Sequence, residues 1–336
     1  MMRNTKWTAD KANEWFENMP WITGCNFSPS TAINQLEMWQ KDTFDTETIK
    51  RELGWAAELG FNAMRVYLHD LLWEDDADGF SERINKYLEI SSGLGIKTML
   101  VLFDDCWNKE FELGKQPEPQ PGVHNSGWLQ SPGEKVVLDS SQWGRLEKYV
   151  KDVIAKFGND ARVIVWDLYN EPGNNEMGAK SLPLLKKTFE WAREIDPIQP
   201  LTAGTWIDKT PELNEFQLNE SDIITFHNYL GADNLRKEII KLKEHNRPIL
   251  CTEYMARVND CFFQTQMPIF KESNVGCFNW GFVSGKTQTV LPWKELVEKS
   301  PPGLWFHDIL HKDGTPYDQK EVDFIKSITT IPQTLI

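Results

Sequence analysis

The sequence predicts an α/β protein built as a single (β/α)8 barrel, a TIM barrel, with a long loop after its third strand. Three observations carry that prediction. Short apolar runs alternate with amphipathic stretches along the 336 residues, the pattern of parallel strands wrapped by helices. No linker or low-complexity stretch divides the chain, so residues 1–336 read as one domain with residues 1–20 as a lead-in segment. Two of the apolar runs end on a glutamate, and a carboxylate where a buried strand meets its loop belongs to the functional rim of such a barrel.

Eight strands are expected to begin near Ile22, Asn62, Lys97, Val163, Leu201, Ile223, Ile249 and Gly276. Several are continuous apolar runs, such as Met99 to Phe103 and Val163 to Trp166, as strands covered on both faces require. Helical stripes separate them. Ile49, Leu53 and Ala57 form one, stopped by Gly60. Leu146, Tyr149, Val150, Val153 and Phe157 form a second, stopped by Gly158. Leu182, Leu185, Phe189 and Ala192 form a third, and Leu235, Ile239, Ile240 and Leu242 a fourth. The helix between the fifth and sixth strands, around Pro211 to Leu218, is expected to be short, and Val322, Phe324 and Ile325 mark a closing helix.

The longest irregular segment runs from Asp104 to Asp139. Loops of that length inside one domain are usually functional, and after the third strand it would lie over the barrel mouth. It carries Trp107, His124, Asn125 and Trp128; a second long loop, from Gly281 to Pro302, carries Trp293.

Composition narrows the partners. A net charge of −14 argues against nucleic acid and anionic membranes. No segment approaches about 18 uninterrupted apolar residues, so no membrane span is expected. The N-terminus as it stands lacks the apolar stretch of a secretory signal; the doubled Met1-Met2 hints at a native start, with a trimmed signal as the alternative. Cys25, Cys106, Cys251, Cys261 and Cys277 are odd in number and have no metal-ligand spacing. They read as buried thiols in a reducing compartment, and the expected address is the cytoplasm.

The chemistry is expected at the strand ends. Glu171 follows Val163 to Asn170, and Glu253 follows Ile249 to Thr252. Two carboxylates facing one pocket can cleave a glycosidic bond, one protonating the leaving oxygen and the other attacking the anomeric carbon. Glu171 is the expected acid/base and Glu253 the expected nucleophile. Asn170 could bond the sugar 2-hydroxyl, and Arg65 could hold Glu253 ionised. His227 and Tyr229 share one side by alternation, and Tyr229 could hydrogen-bond the nucleophile. Trp280 could floor the sugar subsite. Neither a metal nor an organic cofactor is implied.

This set resembles clan A of the retaining glycoside hydrolases, especially family 5 and its cellulase-like relatives. The matching residues are Arg65 ending strand two, Asn170-Glu171-Pro172 ending strand four, His227 and Tyr229 ending strand six, Glu253 ending strand seven and Trp280 ending strand eight. The likeness extends from about Trp21 to Ser327. It implies a (β/α)8 barrel and double displacement with net retention. Two positions depart from the family pattern: no Pro follows Arg65, and the third strand ends in Phe103-Asp104-Asp105 where a His is common. Both touch the wall of the −1 subsite, so they bear on the substrate more than on the reaction.

Each residue also has an ordinary reading. Glu253 and Arg65 could form a structural ion pair, His227 could be a satisfied core histidine, and most of the 15 tryptophans should be core. Trp107, Trp128, Trp206 and Trp293 are candidate sugar platforms. Asp104 and Asp105 could bind hydroxyls or a metal, with hydroxyl binding or simple solvation preferred because a third ligand is missing. His124 and Asn125 form a candidate subsite pair or a loop-internal bond. His69 and Asn26, just past strand ends, could also reach substrate. The reaction expected is hydrolysis of a small β-glycoside or oligosaccharide; the rivals are a silent carbohydrate-binding barrel, a metal-dependent enzyme on the same fold and a transglycosylase.

Overall fold

The computed structural model describes residues 5–206 and 209–330. Eight parallel strands organise them: β1 (Thr23–Asn26), β2 (Ala63–Tyr67), β3 (Lys97–Asp104), β4 (Val163–Asn170), β5 (Leu201–Thr202), β6 (Ile224–His227), β7 (Ile249–Tyr254) and β8 (Gly276–Asn279). Each starts within one residue of its expected position. The hydrogen-bonded order is β5-β4-β3-β2-β1-β8-β7-β6. The remaining seam, between β5 and β6, is joined by the isolated parallel bridge of Thr205 and Phe226. There the Thr205 amide donates to the Thr225 carbonyl at 3.0 Å and the His227 amide to the Thr205 carbonyl at 2.9 Å.

The helices are α1 (Ala9–Glu17), α2 (Gln35–Trp39), α3 (Thr46–Glu58), α4 (Asp70–Gly93), α5 (Glu134–Val137), α6 (Trp143–Phe157), α7 (Leu182–Ile195), α8 (Pro211–Glu220), α9 (Ala232–Lys243), α10 (Phe263–Glu272) and α11 (Gln319–Thr330). The anticipated stripes fall on α3, α6, α7, α9 and α11. Ile240 is an exception; it is 68% exposed and points away from the α9 contact face. The 24-residue α4 has no simple stripe because it is kinked at Asp76, whose φ of −149° and ψ of 70° leave the helical region. Asp76 accepts a hydrogen bond from the Gly79 amide at 2.9 Å, which caps the second half of the helix. Among the described helices, none is long and apolar enough to cross a membrane.

Alternation along β2 shows how the interior is layered. Met64 and Val66 face the helices. Ala63, Arg65 and Tyr67 face the barrel axis at three successive heights. At the bottom, Ala63 joins Ile22, Met99, Ile164, Leu250 and Phe278, and the lead-in segment plugs this layer with Trp7, Ala12 and Phe16 from and beside α1. At the middle height, the fully buried Arg65 guanidinium bonds Asp167 at 2.7 Å. At the top, Tyr67 packs with Val101, Cys106 and Trp128. β1 approaches β2 so closely that a Cβ on Gly24 would lie 1.6 Å from the Ala63 carbonyl oxygen, so only glycine fits there.

One buried acid lies away from this axis. Glu52 on α3 is shielded from solvent and accepts hydrogen bonds from the Ser30 amide, at 3.0 Å, and from the Ser30 hydroxyl. Burial outweighs those bonds and pushes its carboxyl up to about 7. A raised acid contributes stability that is complete below its unfolded value near 4.5 and lost as pH rises through about 7. Glu52→Gln keeps an acceptor for Ser30 and removes the ionisation. The variant is expected to gain on the order of 3 kcal/mol over wild type at pH 8 and little at pH 4. Chemical denaturation at the two pH values checks it; an equal difference at both would refute the assignment.

Candidate active site

The carboxyl ends of the strands surround a cavity of about 1040 Å³. Glu171 and Glu253 both line it, with Asn170, His227, Tyr229, Trp280, His124, Trp128 and Trp206. One oxygen of each glutamate and one ring nitrogen of His227 lie within 4.8 Å of one another. That is the close spacing of a nucleophile and an acid/base; a pair that holds a water between them stands about 6.5–9.5 Å apart.

Local backbone irregularities aim both carboxylates. Strict alternation on β7 from the inward Leu250 would turn Glu253 outward. The register between β6 and β7 shifts after Phe226, which pairs Cys251, so that His227 pairs Glu253. Thr252 is the extra residue, and this bulge returns Glu253 to the barrel axis. Glu171 sits just past β4 with φ of 42°, a left-handed conformation that costs a non-glycine residue on the order of 1–3 kcal/mol. Asp105 clamps the turn from below. Its carboxylate accepts from the Gly173 amide at 2.7 Å, the Ser181 hydroxyl at 2.5 Å and the Tyr169 hydroxyl at 2.6 Å.

Glu253 receives three donors. Arg65 Nη1 and the Tyr67 hydroxyl donate to Oε1, each at 2.8 Å, and the Tyr229 hydroxyl donates to Oε2 at 2.6 Å. Such bonds to a charged acceptor are short and strong, and they fix its orientation. Glu171 is held differently. His227 Nδ1 lies 2.8 Å from Oε1, while Asn174 Nδ2 at 2.5 Å and the Cys106 thiol at 3.2 Å donate to Oε2. Burial pushes the Glu171 carboxyl up, but the bonds and charge of His227, with those of Cys106 and Asn174, outweigh it and hold the group below its ordinary value. Tyr229→Phe removes one donor from Glu253. Bonds to charged groups contribute about 1.5–3 kcal/mol, so kcat is expected to fall roughly 10- to 100-fold with KM little changed. Steady-state kinetics on an aryl glycoside checks this, and an unchanged kcat would remove Tyr229 from the machinery.

Other anticipated residues lie behind the lining. Arg65 is fully buried and reaches Asp167, Asn26, Asn170, Tyr67 and Glu253. It therefore positions the nucleophile and does not touch substrate. Asp104, expected at a sugar hydroxyl, is 1% exposed and is occupied by Asn170 Nδ2 at 3.0 Å and Trp128 Nε1 at 2.8 Å. Burial pushes its carboxyl up to about 7 against those bonds. Asn125 is also buried; its backbone N–H donates to the Thr287 carbonyl at 2.7 Å. His69 caps α4 through the Leu71 amide and packs on Phe111, and Asn26 bonds the Thr252 and Asn279 carbonyls. Neither reaches the cavity. Trp107 and Trp293 do line it.

Tyr67, Cys106 and Asn174 were not singled out from sequence. Tyr67 follows Arg65 by two residues, and period-two alternation points it at the same axis. No comparable signal marks Cys106 or Asn174, which the loops after β3 and β4 deliver. Glu171, His227 and Glu253 also have metal-ligand spacing among the described residues. Their oxygens already take direct donors from Arg65, Tyr67, Tyr229 and His227, and the Arg65 charge beside Glu253 opposes a cation, so this set fits a proton-transfer pair better than a metal.

A family model described as cellulase (glycosyl hydrolase family 5) matches residues 21–285. No curated protein matches the chain in sequence. Among solved structures, the chain is similar to the exo-β-1,4-mannosidase Op5Man5 from Opitutaceae bacterium strain TAV5, at 16% identity and a TM-score of 0.64, covering 92% of this chain and 59% of that one. It is similar to a GH5_18 variant from Streptomyces cattleya in complex with Manβ1-4GlcNAc, at 11% identity and a TM-score of 0.62, covering 92% and 80%. It is also similar to the hyperthermostable endo-1,4-β-D-mannanase from Thermotoga petrophila RKU-1, at 14% identity and a TM-score of 0.58, covering 93% and 99%. At these identities the likeness shows the shared barrel.

Proposed function

This chain belongs to glycosyl hydrolase family 5, the cellulase family, and is a retaining glycosidase; from that premise we propose that it cleaves a β-mannosidic bond in a small glycoside or short oligosaccharide. The observation that carries the reaction is the 4.8 Å grouping of Glu171, His227 and Glu253 at the cavity floor. The mannoside is supported by two structural relatives named as a β-1,4-mannosidase and a β-1,4-mannanase, and by a third bound to Manβ1-4GlcNAc.

In this reading Glu253, oriented by Arg65, Tyr67 and Tyr229, attacks the anomeric carbon. Glu171 protonates the departing oxygen. Against the upward push of burial, His227, Cys106 and Asn174 hold its carboxyl low in the free site, so the proton is taken up as substrate enters, when the charged Glu253 beside it disfavours a second carboxylate charge. Once Glu253 is esterified by the sugar, that charge is gone. Glu171 then turns into the base that activates water, and the second displacement restores the original configuration. The five thiols, all buried and none in a disulfide, support a reducing compartment such as the cytoplasm, where an imported oligosaccharide would be the substrate.

The test is a panel of aryl β-mannoside, glucoside, galactoside and xyloside, with the first-formed anomer read by proton NMR. Fastest release from the mannoside with β-mannose appearing first is expected. A faster glucoside would overturn the sugar assignment, and α-mannose appearing first would overturn retention.

A further inference from the structure

We infer that the cavity holds a single sugar on its glycone side, so the enzyme acts from the non-reducing end and releases one sugar at a time; this rests on the proposed glycoside hydrolysis.

Direction comes from the acid/base. Glu171 must face the glycosidic oxygen, so the leaving group lies on its side, toward Trp206, Asn175 and Asn214, which line the cavity there. The glycone lies on the opposite side, over Glu253 and against Trp280. Trp280 stands edge-on to Trp128 at 5.5 Å between ring centroids, and to Tyr67 at 5.8 Å. Beyond this aromatic corner is a separate space of about 30 Å³, room for about one water and not for a sugar ring.

The corner is backed by a wall. The loop after β3 crosses the mouth above β1 and β2 and is tied at both ends. On the β1 side, Asn34 Nδ2 donates to Gln116 Oε1 at 2.9 Å and to the Gly127 carbonyl at 3.0 Å, and Gln35 Nε2 donates to the Leu129 carbonyl at 2.8 Å. On the β8 side, the Asn125 amide bonds the Thr287 carbonyl at 2.7 Å, Gln288 Nε2 bonds the Gln120 carbonyl at 2.7 Å, and His124 Nδ1 lies 2.7 Å from the Leu291 carbonyl. Asn34, Gln35 and Asn125 are each at most 1% exposed, so the ties these three make are shielded from water. Among the described residues, none from the connections after β1 or β2 lines the cavity. A chain of glycone sugars would have to leave the barrel through that covered quarter.

The experiment compares an aryl β-monomannoside with the corresponding aryl β-1,4-mannobioside on the intact enzyme. If the panel selects another sugar, the same pair is made from it. The monoside is expected to release the aryl group at once. The bioside is expected to release free monosaccharide first, with the aryl group following after a lag. Direct release of intact disaccharide together with the aryl group would overturn the single-sugar pocket while leaving the hydrolase reading in place. If neither compound is cleaved by wild type, the hydrolase reading fails and the inference falls with it. A labelled pentasaccharide gives the second readout: loss of one sugar at a time is expected, and internal fragments at early times would refute it.

Discussion

Glu253→Gln is expected to lower kcat on an aryl glycoside by on the order of 10⁵-fold, the scale seen when a covalent nucleophile is removed, while the protein remains folded. Such a loss corresponds to about 7 kcal/mol of transition-state stabilisation. The amide keeps an acceptor toward Arg65 and Tyr67, whose donors reach one oxygen of the native side chain. It cannot supply the attacking anion. The chemical counterpart is trapping: an activated 2-fluoro glycoside should add one sugar mass to the wild type and none to the variant. A variant retaining more than about one hundredth of wild-type kcat, or still acquiring the label, would assign the nucleophile elsewhere. Glu171→Gln is distinguishable from it, since general acid–base help contributes only about 10²–10⁴-fold and matters least for the most acidic aryl leaving groups.

Arg65→Leu is expected to cost about 3–5 kcal/mol of stability, the range for breaking one side of a buried ion network. The guanidinium is enclosed at the centre of the barrel and donates to Asp167 through two nitrogens, at 3.0 and 2.7 Å, as well as to Glu253. Removing it leaves Asp167 charged or forces it to take up a proton in a site without solvent. Calorimetry should show Tm lowered by on the order of 10 °C. A melting point within about 2 °C of wild type would mean that the network is dispensable to folding. Because Arg65 also touches Glu253, activity alone would not separate its two roles; the melting temperature does.

The barrel was legible from the sequence because its strands are nearly unbroken apolar runs and its glycines fall at helix ends. α4 was hidden by its kink at Asp76, and α10 carries Pro268 within its span, which reads as a stop. Residues 1–20 read in sequence only as a lead-in segment, although Trp7, Ala12 and Phe16 fill the barrel floor. The two glutamates were legible from their places at strand ends. Their aim was not: one depends on a bulge at Thr252 and the other on a left-handed residue at Glu171, and neither leaves a mark in residue order. Asp104 and Asn125 show the opposite difficulty. Polar residues in a long loop suggest contact with a ligand, but here the Asp104 carboxylate holds the loop's own tryptophan, and Asn125, its side chain buried, ties the loop to its neighbour through its backbone amide.

A closed ring of strands gives way first where it is least stitched. Between β3 and β4 six residue pairs are matched across a single register shift, whereas β5 has only two residues and meets β6 through one bridge at Thr205 and Phe226. Amide protons along that join should trade with deuterium sooner than those elsewhere in the barrel wall. His227 lies on the join through its own amide and also grips Glu171 through its ring. The breathing edge of the cylinder and the proton donor are thus mechanically linked, on the same side from which the departing sugar would withdraw.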